Sequence, residues 1–147
     1  MDTISLAAAT ILTGLSAGLL YGWRVSVIPG TRRTSSHAYV ETMQAINRAI
    51  LNPAFFLVFL GAPVAIAAAT VVSFVDDANA RAGLLAFAFV LYLTTTVVTT
   101  AVGNIPLNDQ LEAFDASGAT SDEINAARVG YEHCLLYTSD AADETTG

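Results

Sequence analysis

Residues 52–75 read NPAFFLVFLGAPVAIAAATVVSFV. No charged side chain interrupts the run from Pro53 to Val75, and a helix of about 20 apolar residues rising 1.5 Å per residue crosses a hydrocarbon core of about 30 Å. Asn52 suits the capping position before such a helix and Pro53 its first turn. Pro63, after Gly61, is where a bend is expected. Working outward, two more runs have the same character. Ile4 to Trp23 carries no charge, and a third run extends from Ala82 to Val102. The chain is therefore expected to be an all-α polytopic transmembrane bundle, one domain over 1–133, with spans at about 4–24, 53–75 and 82–102.

Composition agrees. Of the 147 residues, 54% are hydrophobic and 13% charged, against about 25% charged in a soluble domain. The partner these numbers imply is the lipid bilayer, and the length leaves no room for a separate soluble catalytic domain. Lysine is absent, the six basic residues are arginines, and the formal charge is -7. No basic stripe suggests nucleic acid. The single cysteine, Cys134, supports neither a disulfide nor a cysteine metal site.

The first run lacks a basic region before it and exceeds the apolar stretch of about 7–15 residues typical of a signal peptide, so it is expected to remain as a helix. Gly14, Gly18 and Gly22 share one face, which permits close packing against another helix. Packing within the bundle is the plain expectation; a homo-oligomer seam is the alternative. Tyr21 and Trp23 suit the headgroup region, where Arg24 can snorkel.

The first connection opens with Thr31 to Ser36, an exposed loop ending in a helix cap, and continues as an amphipathic helix over about 37–51. Val40, Met43, Ile46 and Ile50 form its apolar side; Glu41, Gln44, Asn47 and Arg48 are assigned to the polar one. In the third span, Thr94, Thr95, Thr96, Thr99 and Thr100 are expected to bond back to carbonyls one turn earlier. Asn104 to Asn108 reads as a tight exit from the membrane, with Asn108 capping a helix that starts at Asp109. Thr120 and Glu123 form a capping box for a last helix carrying Ile124, Ala127 and Tyr131. Arg24, Arg32, Arg33 and Arg48 all flank or occupy the first connection, which places it in the cytoplasm and the N-terminus outside a cell membrane.

For chemistry the sequence offers little. His37 and His133 are its only histidines, and neither belongs to a converging set of ligands, so no metal site is expected. What remains is a polar cluster: Gln44, Asn47, Arg48, Asn52, Asn104 and Asn108. Buried amides need partners, so one reading is that these groups cap helices and tie the loop helix to the bundle.

The run Met43-Gln44-Ala45-Ile46-Asn47-Arg48 with Asn52-Pro53-Ala54-Phe55, and the later Gly103-Asn104-Ile105-Pro106-Leu107-Asn108, resemble the two signatures of the anthrone-oxygenase-like membrane family, over about Ser16 to His133. The resemblance implies a four-helix membrane bundle and, as in a few fungal members, oxidation of an anthrone to an anthraquinone with dioxygen and no cofactor. It also implies a pocket for a flat lipophilic aromatic substrate. In that pocket Arg48, Asn47 and His37 are the catalytic candidates and Gln44, Asn52, Asn104 and Asn108 the binding ones. Arg48 would stabilise an enolate, and His37 or Glu41 would be the base. The competing class is a non-enzymatic bundle, a packing subunit or a small binder of lipophiles.

From Cys134 to Glu144 the sequence looks like a translated transposon-based sequencing adapter. Residues 134–147 are accordingly expected to be a non-native tail, with a fourth span missing beyond His133.

Overall fold

The computed structural model describes residues 3–140, with side chains as far as Glu132. Every regular element among them is helical: α1 (Thr3–Gly22), α2 (Ile28–Thr31), α3 (Ser36–Ile50), α4 (Pro53–Val75), α5 (Asn79–Tyr92), α6 (Ile105–Glu112) and α7 (Ser121–Asp140). Wider π-helical turns at Trp23–Val27, Leu93–Val98 and Thr100–Asn104 join α1 to α2 and α5 to α6. Three continuous helices, Thr3–Thr31, Pro53–Val75 and Asn79–Glu112, are long and apolar enough to cross a membrane. The chain is a multi-pass membrane protein. Of the expected non-native tail, residues 141–147 lie outside the described residues.

The elements group into two compact units. The first holds the residues up to Ser26 together with Leu51–Val97, and α4 packs against both α1 and α5. On α4 the stripe Ala62, Ile66, Ala69 and Ser73 is buried, and the small Ala62, Ala69 and Ser73 let neighbouring backbones approach. Ala9 of α1 and Tyr92 of α5 complete this core, with Leu6, Leu12, Leu85 and Phe89 packed around it. A Cβ on Gly61 would lie 3.3 Å from Leu12 Cδ1, so glycine admits that contact. Leu57, Val64, Val71, Leu84 and Phe87 point outward and are more than half exposed. So much apolar surface is what lipid, not water, covers.

The expectation that Gly14, Gly18 and Gly22 pack within the bundle is corrected: a Cβ added at any of them would meet nothing within 4 Å among the described residues. The packed side is marked by Ala9 and Ser16. At 3.6 residues per turn, Gly18 lies about 180° round the helix from Ala9. What selects the packed side is a hydrogen bond. Pro63 sits inside α4 and has no N–H, so the Phe59 carbonyl four residues earlier loses its helical donor. Tyr92 Oη donates to that carbonyl at 2.9 Å, and Ser16 Oγ lies 2.9 Å from Tyr92 Oη. A neighbouring helix thus satisfies the group the proline frees, as the bilayer interior demands.

Asn52 caps α4 as expected, its Oδ1 accepting from the Phe55 N–H at 3.0 Å. At the other end of α4, Ser73 Oγ donates to the Ala69 carbonyl and accepts from Arg81 Nε at 3.0 Å. Asp77, at φ 55°, makes the left-handed step between α4 and α5. Thr94 and Thr95 bond back to the carbonyls of Val90 and Leu91.

The second unit holds Val27–Ile50 and the chain from Val98. Here α3 packs on α6 and α7, and α7 also packs on the Thr100–Asn104 turn. Ser35 opens α3, its Oγ accepting from the Ala38 N–H at 3.3 Å. Tyr39, Val40, Met43, Leu111, Ile124 and Tyr131 are its buried apolar residues. The capping box of α7 forms: Glu123 Oε2 accepts from the Thr120 N–H and hydroxyl at 2.8 Å each, and the Glu123 N–H reaches Thr120 Oγ1 at 3.4 Å. The helix is not broken at Asn104–Asn108: it runs on to Glu112, with Pro106 falling where the π-helical turn gives way to α6.

Candidate functional site

Six of the seven residues assigned from sequence lie in the second unit; the seventh, Asn52, is the cap of α4 in the first. Gln44 Nε2 donates to the carbonyls of Leu111 and Phe114, at 2.7 and 2.8 Å. It adds a side-chain donor at and just past the C-terminal end of α6, where backbone donors run out. Arg48 Nη1 meets Glu112 Oε1 at 2.6 Å, with both side chains largely in solvent. His37 Nδ1 lies 3.2 Å from Glu41 Oε2. It stands ten residues before Asn47, about 15 Å along the helix, so the structure does not gather it with Asn47 and Arg48. Asn104 is half-buried in the π-helical turn against α7.

Asn47 and Asn108 are placed differently from the sequence reading. Asn47 belongs to the series Val40, Met43, Asn47, Ile50, whose spacing puts it on the packed face of α3 and not with Glu41 and Arg48. Its Nδ2 is fully buried, and its amide interacts with the Tyr131 hydroxyl. Asn108 lies inside α6 and is not its cap. Its Oδ1 accepts a hydrogen bond from Tyr131 Oη at 2.7 Å.

Tyr131 is the centre of this arrangement, and the sequence reading did not single it out. The signal was present: with Ile124 and Ala127 it falls on one face of α7, and a tyrosine on a buried face needs a partner for its hydroxyl. Burial raises its pKa, while the adjacent Asn47 amide pulls the other way, so the phenol keeps its proton at neutral pH. Its ring meets Tyr39 edge to face, centroids 6.4 Å apart. The Arg128 guanidinium covers the other tyrosine, 4.8 Å from the Tyr39 centroid. Arg128 also donates to the carbonyls of Arg32 and Thr34 and to Glu132, which closes the turn before α3 onto α7. Burial, then the Glu132 charge, holds the Tyr39 phenol well above its ordinary pKa.

Two hollows adjoin the cluster. A shallow groove of about 370 Å³ carries Glu41, Gln44, Glu112 and Asp115. A cleft of about 310 Å³ between α6 and α7 is walled by Leu107, Leu111, Phe114, Ala127 and Gly130, with Tyr131 among its few polar groups. Ligand sites have this make-up, apolar walls and sparse polar groups, and 310 Å³ is at the small end of their range.

The match to known families covers residues 55–133, from α4 to α7, and takes in Asn104–Asn108, the cleft and Tyr131. The chain belongs to the anthrone oxygenase family. The Met43–Arg48 run lies outside the matched residues. No curated protein and no solved structure matches the chain.

Proposed function

We propose that this member of the anthrone oxygenase family oxidises a lipophilic, enolisable aromatic compound with dioxygen, without a cofactor, in the cleft between α6 and α7. The observation that carries the reading is Tyr131, a protonated phenol lining a mostly apolar cleft whose other polar side chain is Gln110. Such a donor favours an oxygen on which negative charge develops. The ring CH₂ of the substrate loses a proton to water, and Tyr131 stabilises the enolate oxygen, the part the sequence reading gave to Arg48. The enolate passes an electron to dioxygen, the radical pair closes to a C–O bond, the peroxide anion takes back the proton from water, and the hydroperoxide loses water to leave a new carbonyl. One dioxygen is consumed per quinone and water formed.

Substrate-dependent oxygen uptake by the full chain in lipid nanodiscs, across a panel of anthrones and hydroquinones, tests this. Uptake matched by quinone formation is expected. Binding of the same compounds with no uptake would make the protein a lipophile binder and end the oxygenase reading. By arginine placement the first connection faces the cytoplasm, which a reporter fused to the N-terminus reads.

A further inference from the structure

Gly130 lies in the middle of α7 and walls the cleft between α6 and α7. Inside a helix a glycine costs stability relative to alanine, because the unfolded chain gives up more conformational freedom there. At Gly61 packing accounts for the glycine, since a Cβ would crowd Leu12. At Gly130 it does not. The backbone there is ordinary helix with no positive φ, and an added Cβ would meet nothing within 4 Å among the described residues. Ala126, one turn earlier, and Ala127 line the same side of the cleft, so much of the α7 wall is backbone carrying no more than a methyl group. Leu107 and Leu111 of α6, with Phe114 just beyond it, line the cleft as well. A slot of this kind, flat on one side and bounded by large apolar side chains, fits a plate better than a chain or a sphere.

We propose that Gly130 is a specificity-determining residue that sets how many fused rings the cleft admits. Without a side chain at this position, a flat polycycle lies with one face over Ala126 and Gly130 and its oxygen-bearing edge at Tyr131, the next residue along α7. A side chain at 130 occupies the place of an outer ring and restricts the cleft to single-ring compounds. The proposal deepens the reading above by assigning the size limit of its substrate. It rests on that cleft as the binding site, but not on turnover there.

The experiment uses the full chain in nanodiscs, titrated with a hydroxyanthraquinone whose hydroxyl adjoins a carbonyl, and with 2-hydroxyacetophenone, which keeps that pair of oxygens on one ring. Gly130→Leu should lower affinity for the three-ring compound about tenfold, equivalent to roughly 55 Å² of apolar surface kept out of the cleft, while the single-ring compound binds as before. Gly130→Ala, the smaller intrusion, should weaken the three-ring compound less and raise the thermal midpoint, since nothing in the fold opposes the added methyl. A packing role predicts the opposite shift in midpoint, and an exposed position predicts no discrimination between ligands. Unchanged affinity for both compounds in Gly130→Leu would place residue 130 outside the bound rings and overturn the proposal. So would a lowered midpoint in Gly130→Ala, or equal losses for both compounds in Gly130→Leu. If neither compound binds the unaltered chain, the cleft is not the site and the proposal falls with it. Oxygen uptake is read on the same samples: its absence beside the expected size discrimination sinks the oxygenase reading and upholds this one, and uptake without discrimination does the reverse.

Discussion

Tyr92 in the apolar unit donates to the Phe59 carbonyl, a backbone acceptor that Pro63 leaves without its helical donor. Tyr131 in the polar unit donates instead to the side-chain amide of Asn108, with the Asn47 amide beside it. The first bond has no substitute, because lipid offers none and the backbone cannot move away from its own proline. The second joins two side chains with a third at hand, so it can be exchanged without disturbing a helix. A buried tyrosine serves packing where its acceptor is fixed in the backbone and is free for chemistry where its acceptor is replaceable.

The largest expected effect lies in the polar unit. Tyr131→Phe should lower the turnover of oxygen uptake about a hundredfold, the cost of losing one oxyanion donor, with little change in unfolding. Equal turnover would break the contrast at its functional end. Next comes the apolar unit. Tyr92→Phe leaves a buried carbonyl unpaired and should cost about 1–3 kcal/mol, measured by unfolding in mixed detergent. Pro63→Ala restores a helical N–H to Phe59, so the cost should shrink in the double variant. If it does not, the proline argument fails.

Smaller effects test the polar unit's scaffold. Thr120→Ala removes the cap of α7 and should cost about 1 kcal/mol. The bonds from the Thr120 N–H and hydroxyl hold the Glu123 carboxyl below its ordinary pKa. The box therefore contributes in full above the unfolded glutamate value, and its contribution is lost as pH falls through the folded one. Thr120→Ala should weaken that acid dependence, which unfolding curves over an acid series would reveal. Smallest is Arg48→Ala. The Arg48–Glu112 pair is exposed, so its loss should cost no more than about 1 kcal/mol and vanish in high salt.

Much of the fold is legible in composition and periodicity. The uncharged stretch 53–75, the cap at Asn52 and the box at Thr120 and Glu123 are local signals, and each forms in place. The failures are matters of rotation and continuity. The glycine series on α1 marks a face able to pack, but the face that packs is the one whose Ser16 reaches Tyr92, and nothing local to α1 encodes that. Asn104 to Asn108 has the composition of a helix break, yet Pro106 falls where a π-helical turn gives way to α6 and the helix continues. The candidate site divides in the same way. Gln44, Asn47 and Asn108 are engaged or buried at the α3, α6 and α7 contacts, while His37 and Arg48 face solvent beside acidic partners. Tyr131 escaped notice because its meaning comes from residues 23 and 84 positions away in sequence, Asn108 and Asn47.

The most direct test is to supply oxygen-18 gas to the full chain in nanodiscs with an anthrone and to follow the label into the product by mass spectrometry. The account predicts a quinone carrying one oxygen-18 atom, formed in step with oxygen uptake and lost with Tyr131→Phe. A quinone whose new oxygen comes from water, or no quinone above the rate in empty nanodiscs, would contradict it.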